Sequence, residues 1–262
     1  MKDVMQHFRP EEQSFIVQVN DWMNDVRNQY TPKLTSFLDP RQVMIIQSLV
    51  GENSDVKMKA YGAFSQAERQ RVILYPDYFE PQISDFMIEI FELNYPSKFI
   101  QLKHPDVLGS LLGMGLNRSK FGDIRLNEQK IQFVVQKEIS NFVEINLEAI
   151  NKVKVHLKSL DENAQLLEND EQWREQQDTV SSLRLDAILA TAYKISRQKA
   201  TQLIQSSYVK VNYRLQENSS FDLTEGDLLS VRGYGRLEIS SIEGRTKKDK
   251  IRINFKKLER NS

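Results

Sequence analysis

Between Ser182 and Asn212 the hydrophobic period changes from 3.6 to 2, and that switch constrains the fold more than any other stretch of the chain. Leu185, Ile188, Leu189 and Ala192 fall at i, i+3, i+4 and i+7, which predicts one apolar stripe on a first helix. Ser196 is placed to cap a second helix whose apolar face is Ala200, Leu203 and Ile204. After Ser206 and Ser207, Val209 and Val211 point one way and Lys210 and Asn212 the other, which predicts a strand with one wet face. Arg184 and Lys194 lie off the first stripe, while Arg197 and Lys199 fall in the first turn of the second helix. A helix macrodipole disfavours cations at that end. A phosphate met there by free N–H groups and both side chains would resolve the conflict.

The same residues carry a resemblance. Arg184-Leu185-Asp186, Ile195-Ser196-Arg197-Gln198-Lys199-Ala200, Leu203-Ile204 and Val209-Lys210-Val211-Asn212 occur in an order that resembles the S-four RNA-binding domain, or alpha-L motif. Glu225-Gly226-Asp227 and Ser230-Val231-Arg232-Gly233 match its closing strands. The resemblance implies RNA contact through Arg184, Lys194, Ser196, Arg197, Gln198, Lys199, Lys210, Asn212, Arg232 and Arg236. Tyr234 is a further candidate, for base stacking, and Lys247 and Lys248 for a second phosphate patch. Solvated charges on amphipathic elements are the alternative for each cation, and an exposed turn aromatic for Tyr234. Two positions depart from the pattern: Ser207 and Tyr213 stand where the family has glycine, at turns that want positive φ.

A second resemblance spans nearly the whole chain. Leu34-Thr35-Ser36-Phe37-Leu38-Asp39-Pro40, Ala67-Glu68-Arg69-Gln70-Arg71, His104-Pro105-Asp106-Val107-Leu108-Gly109, Gly122-Asp123-Ile124 and Gly244-Arg245-Thr246-Lys247-Lys248-Asp249-Lys250 look like the YlmH family. These are bacterial proteins with a C-terminal S-four domain, often encoded beside division genes. The likeness implies rRNA and tRNA as partners, and docking to a large ribosomal subunit that holds peptidyl-tRNA. The implied role is ribosome-associated quality control, with division proteins as alternative partners.

Charge distribution agrees with a basic C-terminal module. From Ser181 onward there are 16 Lys and Arg against 9 Asp and Glu, a net of +7; the preceding residues hold the remaining 20 against 27, a net of −7. A neutral chain with one basic end suits contact with a polyanion. There is no cysteine, so disulfide and thiolate chemistry are excluded. No window nears eighteen apolar residues, and the first residues are polar, so no membrane insertion and a cytoplasmic location are expected.

Patterning predicts an α+β chain: a helical N-terminal region over 1–70, a ferredoxin/RRM-like domain over 71–158, an acidic linker over 159–180 and the S-four module over 181–262. Helices are expected from Pro10 with Phe15, Ile16, Val19, Trp22, Met23 and Val26 on one face, and from Pro40 to Val50 behind an Asp39 cap. Strands are expected at Arg71–Tyr75, Phe86–Leu93, Phe99–Leu102, Gly122–Leu126, Lys130–Val135 and Lys152–Leu157, with helices at His104–Met114 and Lys137–Ile150. The linker, with seven acidic residues, is expected to hold at most a helical turn near Trp173.

Catalytic readings find little purchase. Gly113-Met114-Gly115 lacks GxGxxG spacing and reads better as a helix C-terminus with left-handed glycines. Arg118 and Lys120 lie in a polar loop that is a further candidate for RNA contact, and Asp123 reads as a structural turn carboxylate. His7, His104 and His156 have no companions at metal spacing, so no metal and no cofactor are expected. A pseudouridine synthase would need a further domain with an essential Asp, and a methyltransferase a glycine-rich first turn; neither is legible. The expectation is a non-catalytic binder of structured RNA. The alternatives are a division-associated interaction factor and an RNA-modifying enzyme.

Overall fold

A single 3-10 turn, Pro10–Glu12, opens helix α1 (Gln13–Gln29), whose Phe15, Ile16, Val19, Met23 and Val26 are buried along one face. The computed structural model describes residues 8–51, 55–161, 164–169 and 172–259, and the chain divides into two units, Met1–Asn169 and Asp170–Ser262. Helix α2 (Pro40–Val50) starts as expected, with the Asp39 carboxylate accepting from Gln42 N at 2.9 Å and the Gln42 side chain accepting from Asp39 N at 3.0 Å. Both helices pack on an antiparallel sheet of β1 (Lys33–Leu34), β2 (Val56–Tyr61) and β3 (Arg71–Pro76), in the order β1-β3-β2.

This sheet corrects two expectations. The helical region expected over 1–70 contains strand β2, and Arg71–Tyr75 pairs with it rather than with the middle domain. Pairing of β2 with β3 runs straight across the boundary expected at residue 70.

The second half of this unit is β4 (Ile88–Asn94), α3 (His104–Gly113), β5 (Phe121–Leu126), β6 (Ile131–Gln136), α4 (Lys137–Asn146), a small hairpin β7 (Ala149–Ile150) and β8 (Val153–Lys154), and β9 (His156–Leu160). Its sheet runs β5-β6-β4-β9 and is antiparallel throughout, the ferredoxin-like arrangement. Phe91, Phe133, Val107, Leu111 and Val143 join sheet and helices in one core. Residues Phe99–Leu102 form no strand, and Phe99 is exposed. Helix α4 stops at Asn146, short of the expected Ile150, because Ala149 and Ile150 pair with Val153 and Lys154.

The other face of that sheet is closed. Along β6, Ile131, Phe133 and Val135 point to the helices, while Gln132, Val134 and Gln136 turn the other way and are buried too. Val134 packs with Phe37, Phe64 and Ala67. Gln132 donates to Glu92 and to Gln165 O and accepts from Leu167 N, so the 164–169 segment covers that end, while Gln136 donates to Ser119 O and accepts from Lys120. Three cations tie the two halves together. Arg71 donates to Thr35 O and Met87 O, both at 2.8 Å, and to Glu138. Arg69 donates to Phe37 O and Phe121 O, and Arg125 to Leu167 O and Ser65 O. Asp123 accepts from Glu68 N and Arg69 N at 2.8 and 3.0 Å; burial pushes its carboxyl above the ordinary range despite those bonds.

The C-terminal unit is a six-stranded antiparallel sheet with two short helices. Its elements are β10 (Arg174–Val180), α5 (Leu185–Tyr193), α6 (Arg197–Gln205), β11 (Val209–Val211), β12 (Arg214–Leu215), β13 (Leu228–Val231), β14 (Gly235–Arg245) and β15 (Ile251–Glu259), and the sheet order is β10-β15-β14-β13-β11-β12. The segment expected as a linker therefore supplies an edge strand, because Arg174–Val180 pairs along Ile251–Lys257 of β15. Trp173 precedes that strand and lies in no helix. Leu185, Ile188, Leu189, Ala192, Ala200, Leu203 and Ile204 of the helices meet Val209, Val211, Leu229, Val231, Leu237 and Phe255 of the sheet in one core. Ser207, Asn212 and Tyr213 take φ of 60°, 47° and 67°. The last two form a two-residue turn between β11 and β12 with positive φ at both central positions, the type I′ geometry.

Candidate nucleic-acid interface

The two short helices bring Arg184 and Arg197 to one carboxylate. Asp186, in the first turn of α5, is buried and accepts from Arg184 Nε and Nη2 at 3.1 and 2.9 Å. It also accepts from Arg197 Nη2, at 3.0 Å to each oxygen. Burial alone would raise the Asp186 carboxyl, but hydrogen bonds from Arg184 and then Arg197 more than offset this and hold it below the ordinary range. The carboxylate thus stays ionised and fixes two guanidiniums whose side chains remain 39% and 54% exposed. A triad of this kind keeps a net charge of +1 and presents planar donors to solvent in a set direction.

Ser196 caps α6 as expected, its Oγ accepting from Lys199 N at 3.1 Å. Arg197, Gln198 and Lys199 are exposed in that first turn, and exposed Lys194 sits just ahead of it in the left-handed region at φ 54°. Of these, Arg197 is joined to Arg184 through Asp186, and the others adjoin Arg197 along the chain.

The remaining sites lie elsewhere. Val209 and Val211 point into the core, so Lys210 between them faces outward from the sheet, away from the helices. Lys210 pairs across with Ser230, and Ser230 with Arg236, which places all three in one outward row. Arg232 follows β13, with its guanidinium 5.0 Å from the ring centre of Tyr208.

Asn212 is engaged within the fold. It donates to the buried Asp227 at 2.8 Å and accepts from Leu228 N at 3.0 Å, which clamps β11 to β13. Tyr234 packs on Tyr193 at 5.2 Å and on the core. Lys247 and Lys248 are exposed at the β14–β15 turn, where Arg245 pairs with Asp249 at 2.7 Å. In the other unit, Arg118 donates to Phe121 O and Gly122 O, and Lys120 to the Gln136 side chain at 3.0 Å, so both heads are turned into the domain. Among the described residues no group of three or more His, Asp or Glu is placed to hold a metal ion.

Two features of the site are not legible from motifs alone. Asp186 stands in the motif, but nothing local shows that it gathers two arginines. Tyr208 lies outside the motif, and only strict alternation from Val209 puts it on the same wet face as Lys210.

Three family models match the chain: "YlmH, N-terminal" over residues 11–79, "Putative RNA-binding domain in YlmH" over 81–164 and "S4 domain" over 183–229. A protein of Bacillus subtilis (strain 168), named "Ribosome-associated protein quality control protein P2", is 42% identical over 258 residues, covering 98% of this chain and 99% of its own. The chain belongs to the YlmH family. A solved structure, "Cell division protein ylmH from Streptococcus pneumoniae", is 32% identical, covers 59% of this chain and 94% of that one, and superposes with a TM-score of 0.52. Within the YlmH architecture the S4 match begins one residue before Arg184 and includes the whole Asp186 triad. The quoted N-terminal motifs have a structural account. Thr35, Phe37, Arg69, Arg71, Gly122 and Asp123 all lie at the junction between the two halves of the first unit. No helix of the described residues is long and apolar enough to cross a membrane.

Proposed function

We propose that this protein is a non-catalytic binder of structured rRNA or tRNA. Its C-terminal unit docks on a large ribosomal subunit holding peptidyl-tRNA, during quality control of stalled translation. The observation that carries the RNA reading is the Asp186 triad, which aims Arg184 and Arg197 outward beside Lys199. The name of the Bacillus subtilis relative supports the ribosomal setting.

Arginine and lysine heads at the start of α6 neutralise phosphates and set orientation without reading sequence. Selectivity for folded RNA then comes from shape and 2′-hydroxyl contacts. With about five phosphates neutralised, log K falls against log salt with a slope of roughly −4. Replacing Arg197→Glu together with Lys199→Glu removes two of these contacts, so the slope should become shallower by about two and binding should collapse at physiological salt. Filter binding or anisotropy with ribosomal RNA fragments and tRNA reads this. Unchanged affinity with native circular dichroism would remove the proposal.

A second reading has its own observation. Phe142 and Ile145, three residues apart on one face of α4, are 44% and 62% exposed, an apolar pair that suits a protein partner, and the solved relative is named a cell division protein. Rescue of a deletion strain by the Arg197→Glu, Lys199→Glu variant would favour a protein-binding role over the RNA-binding one.

A further inference from the structure

We propose that Tyr208 and Arg232 form a stacking site for one unpaired nucleobase, with Lys210 beside it for the adjoining phosphate. This rests on the RNA-binding reading of the C-terminal unit and adds a class of contact to it. The ladder sets the geometry. Val209 lies opposite Val231 and Lys210 opposite Ser230, and Arg232 N donates to Tyr208 O at 2.9 Å, so Tyr208 and Arg232 are cross-strand neighbours. Val209 and Val231 enter the core, which leaves Tyr208, Lys210, Ser230 and Arg232 on the outward face.

The tyrosine is held from both sides of its own peptide. Its N–H donates to Leu203 O at 3.0 Å, pinning it to the end of α6, while its carbonyl accepts from Arg232. The side chain is nevertheless 41% exposed, and the Arg232 guanidinium lies 5.0 Å from the ring centre. Arg232 is exposed as well, so both members of the pair are open to solvent. A planar guanidinium over an aromatic ring is a platform on which a base adds as a further layer. Bases inside a helix are covered on both faces by their stacked neighbours. The ligand is therefore a loop, bulge or flipped nucleotide, and stacking accepts any base.

The full-length protein is titrated with an RNA hairpin carrying 2-aminopurine in its loop, and with the same stem as a blunt duplex. Binding of the hairpin is expected to quench the loop fluorescence. Tyr208→Ala should abolish the quench and weaken hairpin binding about tenfold, with duplex binding and the salt slope unchanged. Tyr208→Phe should restore both, which separates the ring from the hydroxyl and from loss of fold. Arg232→Lys should keep the salt slope and lose part of the quench, since charge remains but the flat surface goes. Equal quench and affinity in Tyr208→Ala would overturn the stacking site and leave RNA binding standing. So would equal losses for hairpin and duplex in that variant. Failure of the wild-type protein to bind either RNA at low salt would instead overturn the RNA-binding reading itself.

Discussion

Asp186→Asn tests whether one carboxylate organises the basic surface. In the native protein it accepts four N–H contacts of 3.1 Å or less from two guanidiniums, and its side chain is 7% exposed. An amide keeps one acceptor oxygen and turns an NH2 group toward a guanidinium, so about half of these charge-assisted bonds are lost. Hydrogen bonds to charged groups contribute about 1.5–3 kcal/mol. The figure is discounted here because Arg184 and Arg197 are 39% and 54% exposed and regain water once released. No orphaned buried cation remains, so the cost should stay below the roughly 3–5 kcal/mol of a fully buried pair. About 1–2 kcal/mol is expected, or some 5–12 °C in the melting of a unit of this size. Trp173 lies in the C-terminal unit and Trp22 in the other, so Trp173 fluorescence in a Trp22→Phe background isolates the relevant transition. The pH dependence provides a second reading. The Asp186 carboxyl is depressed in the folded state, so its contribution is full above the unfolded carboxylate range and is lost as pH falls through the folded value. Wild type and Asp186→Asn should therefore differ most at neutral pH and converge on acidification. An unchanged urea midpoint at pH 7 would refute the reasoning.

Three further changes follow from the geometry. Ser207→Gly should stabilise the C-terminal unit by about 0.5–1 kcal/mol in urea unfolding, since Ser207 sits at φ 60° and gives up only an exposed bond to Glu217. Gly122→Ala should destabilise the first unit by about 1–3 kcal/mol on the Trp22 signal, because the added Cβ would lie 2.9 Å from the Phe37 ring and 3.0 Å from Val134 Cβ. Arg71→Met should cost about 2–3 kcal/mol on the same signal by leaving Thr35 O and Met87 O without the guanidinium, while Glu138, already half exposed, swings into water. A midpoint unmoved in any of the three would sink that prediction.

What was legible in the sequence follows from where the information lies. Helices α5 and α6 announce themselves because each buries a stripe, and the stripe is local. Ser207 and Tyr213 could be marked as misfits because turn geometry is also local, and both take positive φ. Strand β10 gave no such signal. It reads Arg-Glu-Gln-Gln-Asp-Thr-Val, is exposed through Asp178, and is held by backbone pairing to residues some eighty positions away. The surroundings of charged residues are equally non-local. Arg69, Arg71 and Arg125 look like solvated cations until carbonyls from distant strands appear around them. Arg118 and Lys120 belong to this class, which is why a basic loop in the sequence became an inward-facing one in the fold.

The closed sheet changes how labour is divided between the two units. RNA-recognition modules of ferredoxin-like shape stack bases on aromatics of an open sheet. In this protein the corresponding positions on β6 are Gln132 and Val134, both fully buried beneath other parts of the same unit. The acidic excess before Ser181 does not settle the matter, since at physiological ionic strength charges act only over about 8 Å. Local aim does. Arg118 and Lys120 already hold backbone and side-chain oxygens of their own domain, and releasing them would cost those bonds. Arg184 and Arg197 are instead fixed by Asp186 while 39% and 54% exposed, so a phosphate would add to the arrangement rather than compete with it. On the proposed RNA-binding reading, Arg184 and Arg197 should therefore matter more for affinity than Arg118 and Lys120, whose charge reversal should disturb folding before it disturbs binding.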